Sequence, residues 1–243
     1  MSTFTGQRVV VLGGSSGIGE ATAAGFAADG AEVVITGRDR QRLDEAVARI
    51  GGSTRGFAVD AMDRAAVTAF FAELGTLDHL VVAVSGSAGA GAFAGLDLAE
   101  LANGFDRKFW PQVSSLQAAL PHLRKDGSVT FITAGSSRAA FPGTAGLAAI
   151  NGALDAMVPP LAVELAPLRV NAVSPGVIDT PWWDRVPAEQ RKQLFDGLAA
   201  ATPVGRVGRP EDVAQAIHLL AANTFLTGVV LDCNGGTNLP TGR

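Results

Sequence analysis

Short apolar runs and amphipathic stretches alternate along nearly the whole chain. Residues 9–12, 33–36, 57–59, 80–84, 129–132, 170–173 and 228–231 are compact, largely branched or apolar runs of strand length. Stretches with helical character lie between them. Residues 20–28 are rich in alanine and stop at Asp29-Gly30, a helix-terminating pair. In 39–50, Leu43, Val47 and Ile50 recur among charges, the spacing of an amphipathic helix. Asp39 and Asp63 each stand where a capping carboxylate would, and the helix after Asp63 is expected to reach about residue 74. Further helices are predicted at 101–123, disturbed at Pro111, and at 145–165, where Pro159-Pro160 should kink or divide it. Another is predicted at 211–222. Residues 179–209 read as an insertion over the edge of the sheet, with a short helix at 188–200. Strands and helices in this alternation predict an α/β fold: a Rossmann-type doubly wound parallel sheet, one domain over 1–243.

Composition narrows the function. A chain of 243 residues with 47% hydrophobic side chains can bury one large core. A net charge of −4 with no Lys/Arg cluster argues against a nucleic-acid or anionic-membrane partner. No basic region followed by an apolar stretch opens the chain, and the strand-like runs are too short to span a bilayer. The apolar stretch 145–165 carries Asn151, Asp155, Glu164 and two prolines, so it reads as a buried helix, and the expectation is a soluble, cytoplasmic protein. One cysteine, Cys233, and three scattered histidines, His79, His122 and His218, have no metal-ligand spacing, so no metal is expected. There is no tyrosine at all, which excludes any mechanism needing a phenol from this chain.

The first predicted strand runs into Gly13-Gly14-Ser15-Ser16-Gly17-Ile18-Gly19 and then a helix. Glycines let the backbone approach a diphosphate closely, and a helix N-terminus presents free N–H groups to it. In the first βα unit of an alternating chain, that turn points to a dinucleotide. After strand two the chain reads Thr36-Gly37-Arg38-Asp39. Where an NAD site usually carries an acid for the ribose hydroxyls, Gly37 leaves room for a 2′-phosphate and Arg38 sets a guanidinium near it. Ser15 and Ser16 would add hydroxyl donors, and Asp39, one residue beyond, is better placed to cap the next helix. The preferred cofactor is NADP(H).

The chain resembles the short-chain dehydrogenase/reductase family over nearly its whole length. The glycine turn looks like that family's fingerprint, and Asp60 matches its adenine-binding aspartate. Arg169-Val170-Asn171-Ala172-Val173-Ser174-Pro175-Gly176 is close to its sixth-strand motif. Pro203-Val204-Gly205-Arg206, Gly208-Arg209-Pro210-Glu211-Asp212-Val213, Leu226-Thr227-Gly228 and Asn234-Gly235-Gly236 match its C-terminal signature. The resemblance implies that groups near Pro175, Gly176, Ile178 and Thr180 hold the nicotinamide side. It also implies a small-molecule substrate and a homodimer or homotetramer joined through 145–165 and 231–239.

The catalytic half departs from the family. Its members carry a tyrosine and a lysine four residues apart on the helix after strand five, on one helical face. Here Leu147 takes the tyrosine position, Asn151 the lysine position, and Ala134 that of the family's serine, with Thr133, Ser136 and Ser137 beside it. Val82-Ala83-Val84-Ser85-Gly86 replaces the usual asparagine-bearing turn, and Lys108 stands where many members have an asparagine. Lysine and asparagine are thus exchanged. On one reading Lys108 reaches the pocket and replaces the missing acid, while Asn151 keeps a ribose hydrogen bond. On the other, Lys108 is a surface residue of a helix distorted at Pro111. Arg138 is either an anion-binding group at the substrate entrance or a solvent-facing loop residue. Trp182-Trp183 form either a lid or a core-and-subunit contact. The functional expectation is an NADP(H)-dependent oxidoreductase of an unknown carbonyl or alcohol, with Lys108, Thr133 or water as a non-standard proton donor. The alternative is a catalytically silent NADP(H)-binding protein with a sensing or partner-binding role.

Overall fold

Alternate residues within each apolar run leave for opposite faces, so a strand made wholly of apolar residues must be covered on both sides. The computed structural model describes residues 3–86 and 88–239 and finds a strand at each predicted run, with the bounds shifted by one to three residues at 57–59, 80–84 and 228–231. The strands are β1 (Arg8–Leu12), β2 (Glu32–Gly37), β3 (Thr54–Ala58), β4 (Leu77–Val82), β5 (Leu123–Ile132), β6 (Arg169–Pro175) and β7 (Val230–Cys233). They pair in the order β3-β2-β1-β4-β5-β6-β7, parallel throughout. The order reverses between β1 and β4, which opens a crevice at the C-terminal ends of those two strands.

Two cores follow from the strand alternation. Val9 and Val11 face one side with Val33, Ile35 and Val173, against Phe26 of α1 (Gly17–Ala28), Leu43 of α2 (Arg40–Ile50) and Ile217 of a later helix, Pro210–Ala222. Val10 and Leu12 face the other, with Val82, Val129 and Phe131. That side is covered by Phe71 of α3 (Arg64–Leu74), Leu116 and Val158. Asp39 and Asp63 cap α2 and α3 as expected, accepting from Arg42 N and from Ala65 N and Ala66 N.

Two local expectations are corrected. The helix predicted at 101–123 is three pieces: α4 (Leu98–Gly104), a wide turn (Phe105–Phe109) and α5 (Trp110–Ala119). Pro111 has no N–H to return to the carbonyl four residues back, and the Trp110 N–H reaches five residues back to Phe105 O. Conversely α6 (Ala145–Glu164) runs unbroken through Pro159 and Pro160. Both rings are exposed, and their missing N–H groups release only the Asp155 and Ala156 carbonyls from the ladder. Ile150, Leu154, Val158 and Ala162 keep the opposite face buried. By length and composition α6 is apolar enough to cross a membrane, but here it packs against β6. The segment after β6 carries α7 (Ala188–Ala201), and α8 (Pro210–Ala222) returns the chain to β7.

The edge of the sheet away from the crevice holds a ring cluster of Phe4, Phe26, His79 and His218. His79 accepts at Nδ1 from the Ser128 hydroxyl and donates from Nε2 to Gln7 Oε1, both at 2.8 Å. Burial, with a smaller push from Arg169, lowers its pKa from 6.5 to about 4. The unfolded chain therefore takes up a proton that the folded one refuses. Stability should decline as pH falls from about 6.5 towards 4, by about 3 kcal/mol from this residue. Urea titrations across that range should show the slope in the native sequence and lose it in His79→Gln; equal slopes would remove His79 as the cause.

Candidate functional site

Backbone geometry alone builds a cradle at the crevice. The Gly13 and Gly14 N–H groups both donate to Thr36 O, at 3.1 and 3.0 Å, folding the end of β1 sharply into α1. Gly13 has φ +83°, and a Cβ there would lie 2.9 Å from the Ala83 carbonyl at the end of β4. A Cβ on Gly19 would collide with the Gly13 carbonyl. Ser16 precedes α1 in extended backbone with no side-chain cap, so the first-turn N–H groups are left for a ligand. Ile18 is half-buried against the core. A Cβ on Gly17 would lie 3.2 Å from the Thr180 side chain, so the segment after β6 passes over the turn.

The second-strand end is shaped by small contacts. A Cβ on Gly37 would lie 2.8 Å from the Ser15 hydroxyl oxygen, so glycine keeps this corner open. Arg38 is exposed and makes no ion pair or hydrogen bond among the described residues. Asp39 is engaged by its helix cap. Asp60 is exposed and accepts from Met62 N at 3.0 Å. Pro175 and Ile178 are buried, and a Cβ on Gly176 would meet the Asn234 backbone at 2.9 Å. Ile178 bridges to Gly208, which closes the base of the 179–209 segment.

Lys108 is 7% exposed, which removes the surface reading of this residue. The wide turn that accommodates Pro111 leaves Asp106 and Arg107 exposed and carries Lys108 inward. Its Nζ donates to Thr133 O at 3.1 Å, and among the described residues no carboxylate pairs with it. Desolvation pushes its pKa down to about 8, partly offset by the Asp155 charge. The Thr133 hydroxyl donates to Val173 O at 3.3 Å, so it is the Thr133 carbonyl that meets the lysine. Asn151 is buried and donates from Nδ2 to Leu147 O at 2.8 Å and to the Ser136 hydroxyl at 3.2 Å. Its Oδ1 is buried without a partner.

Two participants were missed in the sequence. Gln112, four residues after Lys108, donates to Val84 O and Ile132 O at 3.0 and 3.1 Å. Asp155, four after Asn151, accepts from the Ser137 hydroxyl at 2.6 Å and keeps its other oxygen buried and unpaired. Ser136, already named beside Ala134, accepts from Asn151. The i, i+4 spacing was the available signal for Gln112 and Asp155. Arg138 is exposed but not free: it pairs with Asp232 at 3.0 Å and lies 4.0 Å from Asp155. Trp183 donates from Nε1 to Ile178 O at 3.0 Å and packs edge-on against Phe195, while Trp182 remains 40% exposed.

This arrangement fits a dinucleotide: the turn excludes side chains where a diphosphate would approach, and Asn151 Oδ1 lacks a donor. A family model described as Enoyl-(Acyl carrier protein) reductase matches residues 13–238. The short-chain dehydrogenase/reductase ATR9 of Stachybotrys chlorohalonatus is 31% identical, covering 98% of this chain and all of its own. The cyclic-di-GMP-binding biofilm dispersal mediator protein of Escherichia coli is 35% identical over 97% of this chain and 98% of its own. A small-chain dehydrogenase solved in complex with NADPH superposes with a TM-score of 0.84 at 31% identity, over 96% of this chain and 99% of that one.

The cradle has a direct test. Gly19→Ala should cost about 2–4 kcal/mol by forcing the turn off the helix. Thermal unfolding should show the loss, whereas an unchanged melting temperature would mean that the turn can relax around a methyl group.

Proposed function

The chain belongs to the short-chain dehydrogenase/reductase family, and on that footing we propose that it is a soluble, cytoplasmic NADP(H)-dependent oxidoreductase whose proton donor is Lys108. The observation that carries this reading is a buried lysine, held by one backbone carbonyl and with its pKa near 8, in a chain without tyrosine. The substrate is a small carbonyl or alcohol, and residues 179–209 serve as the substrate loop. The turn of Gly13, Ser15, Ser16, Gly17, Ile18 and Gly19 takes the diphosphate, Arg38 the 2′-phosphate and Asp60 the adenine. Pro175, Gly176, Ile178 and Thr180 hold the carboxamide side. The exposed Val163 on α6 and Phe225 before β7 support assembly into a homodimer or homotetramer.

When bound, the nicotinamide supplies or accepts the hydride. Lys108 gives its proton to the substrate oxygen as that oxygen gains charge. An ammonium with a pKa near 8 releases a proton at neutral pH far more readily than an exposed lysine. The Thr133 carbonyl holds the ammonium in place. Asn151 has spent its Nδ2 on Leu147 and Ser136 and offers Oδ1 to a ribose hydroxyl. The second reading is a silent NADP(H)-binding protein. It draws on the engagement of Lys108 and Thr133 with backbone carbonyls, and on the similar Escherichia coli protein named for nucleotide binding.

NADPH consumption with a panel of ketones, quinones and imines separates the two readings: tight binding with no consumption favours the silent one. Lys108→Met should cut kcat/KM for reduction by about 10²–10⁴-fold. NADPH affinity should stay within about twofold, and the melting temperature should change little, because the Thr133 carbonyl losing its donor opposes the gain from removing a buried charge. Reduction should also fall as pH rises through about 8, where the ammonium is lost. Unchanged turnover in the variant would take Lys108 out of the mechanism. Arg38→Ala should raise the Kd for NADPH about tenfold or more and leave NADH binding unaltered. Equal weakening of both cofactors in equilibrium titrations would remove the phosphate assignment.

A further inference from the structure

Charge pairing on the segment after β6 is uneven. Arg191 pairs with both Asp179 and Asp184. Lys192 pairs with Asp196 at 2.8 Å. Those pairs occupy Asp179, Asp184 and Asp196, Glu189 accepts from the Gln193 amide, and Arg185 is left without an ion pair among the described residues. Arg185 is nevertheless not a loose surface chain, because its guanidinium carbon lies 3.6 Å over the centre of the Trp182 ring. The ring is itself braced edge-on by Trp183 at 4.6 Å, and Trp183 is tied to Ile178 O and packed on Phe195. Thr180 and Pro181, directly before the tryptophans, lie over Gly17 of the glycine turn, where an added Cβ would meet them at 3.2 and 3.9 Å. A held, uncompensated cation on an exposed indole therefore stands beside the cofactor crevice.

We propose that Arg185, held on the face of Trp182, forms a subsite for an anionic group of the substrate, a carboxylate or sulfonate. A guanidinium stacked on an indole gives up one face and keeps its in-plane N–H fork, which matches two carboxylate or sulfonate oxygens. Arg138, the other arginine near the substrate side, is committed to Asp232 and does not compete. The assignment rests on the oxidoreductase reading for turnover but not for binding, so the two are tested apart.

The first arm measures NADPH-dependent reduction of 4-carboxybenzaldehyde against benzaldehyde. Arg185→Ala should raise KM for the acid about tenfold and leave KM for benzaldehyde within about twofold, with Arg185→Lys giving partial rescue. The second arm titrates terephthalate into the NADP⁺-loaded protein and follows tryptophan fluorescence. Saturable quenching that weakens about tenfold in Arg185→Ala supports the subsite even if no aldehyde is consumed; that result would sink only the oxidoreductase reading. Absence of terephthalate binding to the native protein overturns the subsite. So does a variant that shifts the two aldehydes equally. A variant that weakens NADPH binding about tenfold also overturns it, by assigning Arg185 to the cofactor diphosphate.

Discussion

A parallel sheet ends all its strands together, so the carbonyls at that edge have no next strand residue to pair with and lie too deep for free access to water. Side chains from the wide turn before α5, and from α5 itself, meet this need here. Lys108 takes Thr133 O, and Gln112 takes Val84 O and Ile132 O, tying the ends of β4 and β5 to one helix. At the opposite edge Arg169 does the same for α8, donating to the Leu220, Ala221, Asn223 and Leu226 carbonyls. Both buried cations are held by backbone oxygens, and neither has a carboxylate in contact among the described residues.

The two differ in consequence. A guanidinium stays charged under any working condition, so Arg169 is a structural clamp even though burial lowers its pKa. An ammonium is more strongly hydrated and gives up its proton when buried, so the same kind of contact leaves Lys108 near its titration point. A residue that satisfies a strand end can thereby also move a proton. The family's phenol and lysine share one helix face, whereas here the proposed acid, Lys108, stands on the wide turn leading into α5 and the proposed ribose acceptor, Asn151, on α6. The distortion around Pro111 is part of that exchange, because it turns Lys108 inward after the exposed Asp106 and Arg107.

The strands, both aspartate caps and the glycine turn were legible because each depends on local patterns: continuous apolar runs, a carboxylate before a helix, glycines where a Cβ would strike backbone. Asp39 illustrates it, since a cap needs only the next three residues. The interrupted helix and the unbroken α6 were not legible, because a proline's cost depends on what surrounds it. Pro111 meets a helix whose inner face must reach two strand ends. Pro159 and Pro160 face outward from a helix already held by its buried side. Arg138 escaped for a similar reason: its partner Asp232 lies 94 residues away.

Sequence alone determined the α/β order, the phosphate turn, the lack of any phenol and the exchange of lysine for asparagine. Each is a matter of residue identity and short-range spacing. Tertiary structure decided that Lys108 is inside and short of solvent, that Thr133 contributes a carbonyl to it, that Gln112 ties two strand ends and Asp155 holds Ser137, and that Arg185 stacks on Trp182 without an ion pair among the described residues. Those facts depend on which distant atoms share a low-dielectric space, and burial and electrostatic pairing are properties of the packed chain.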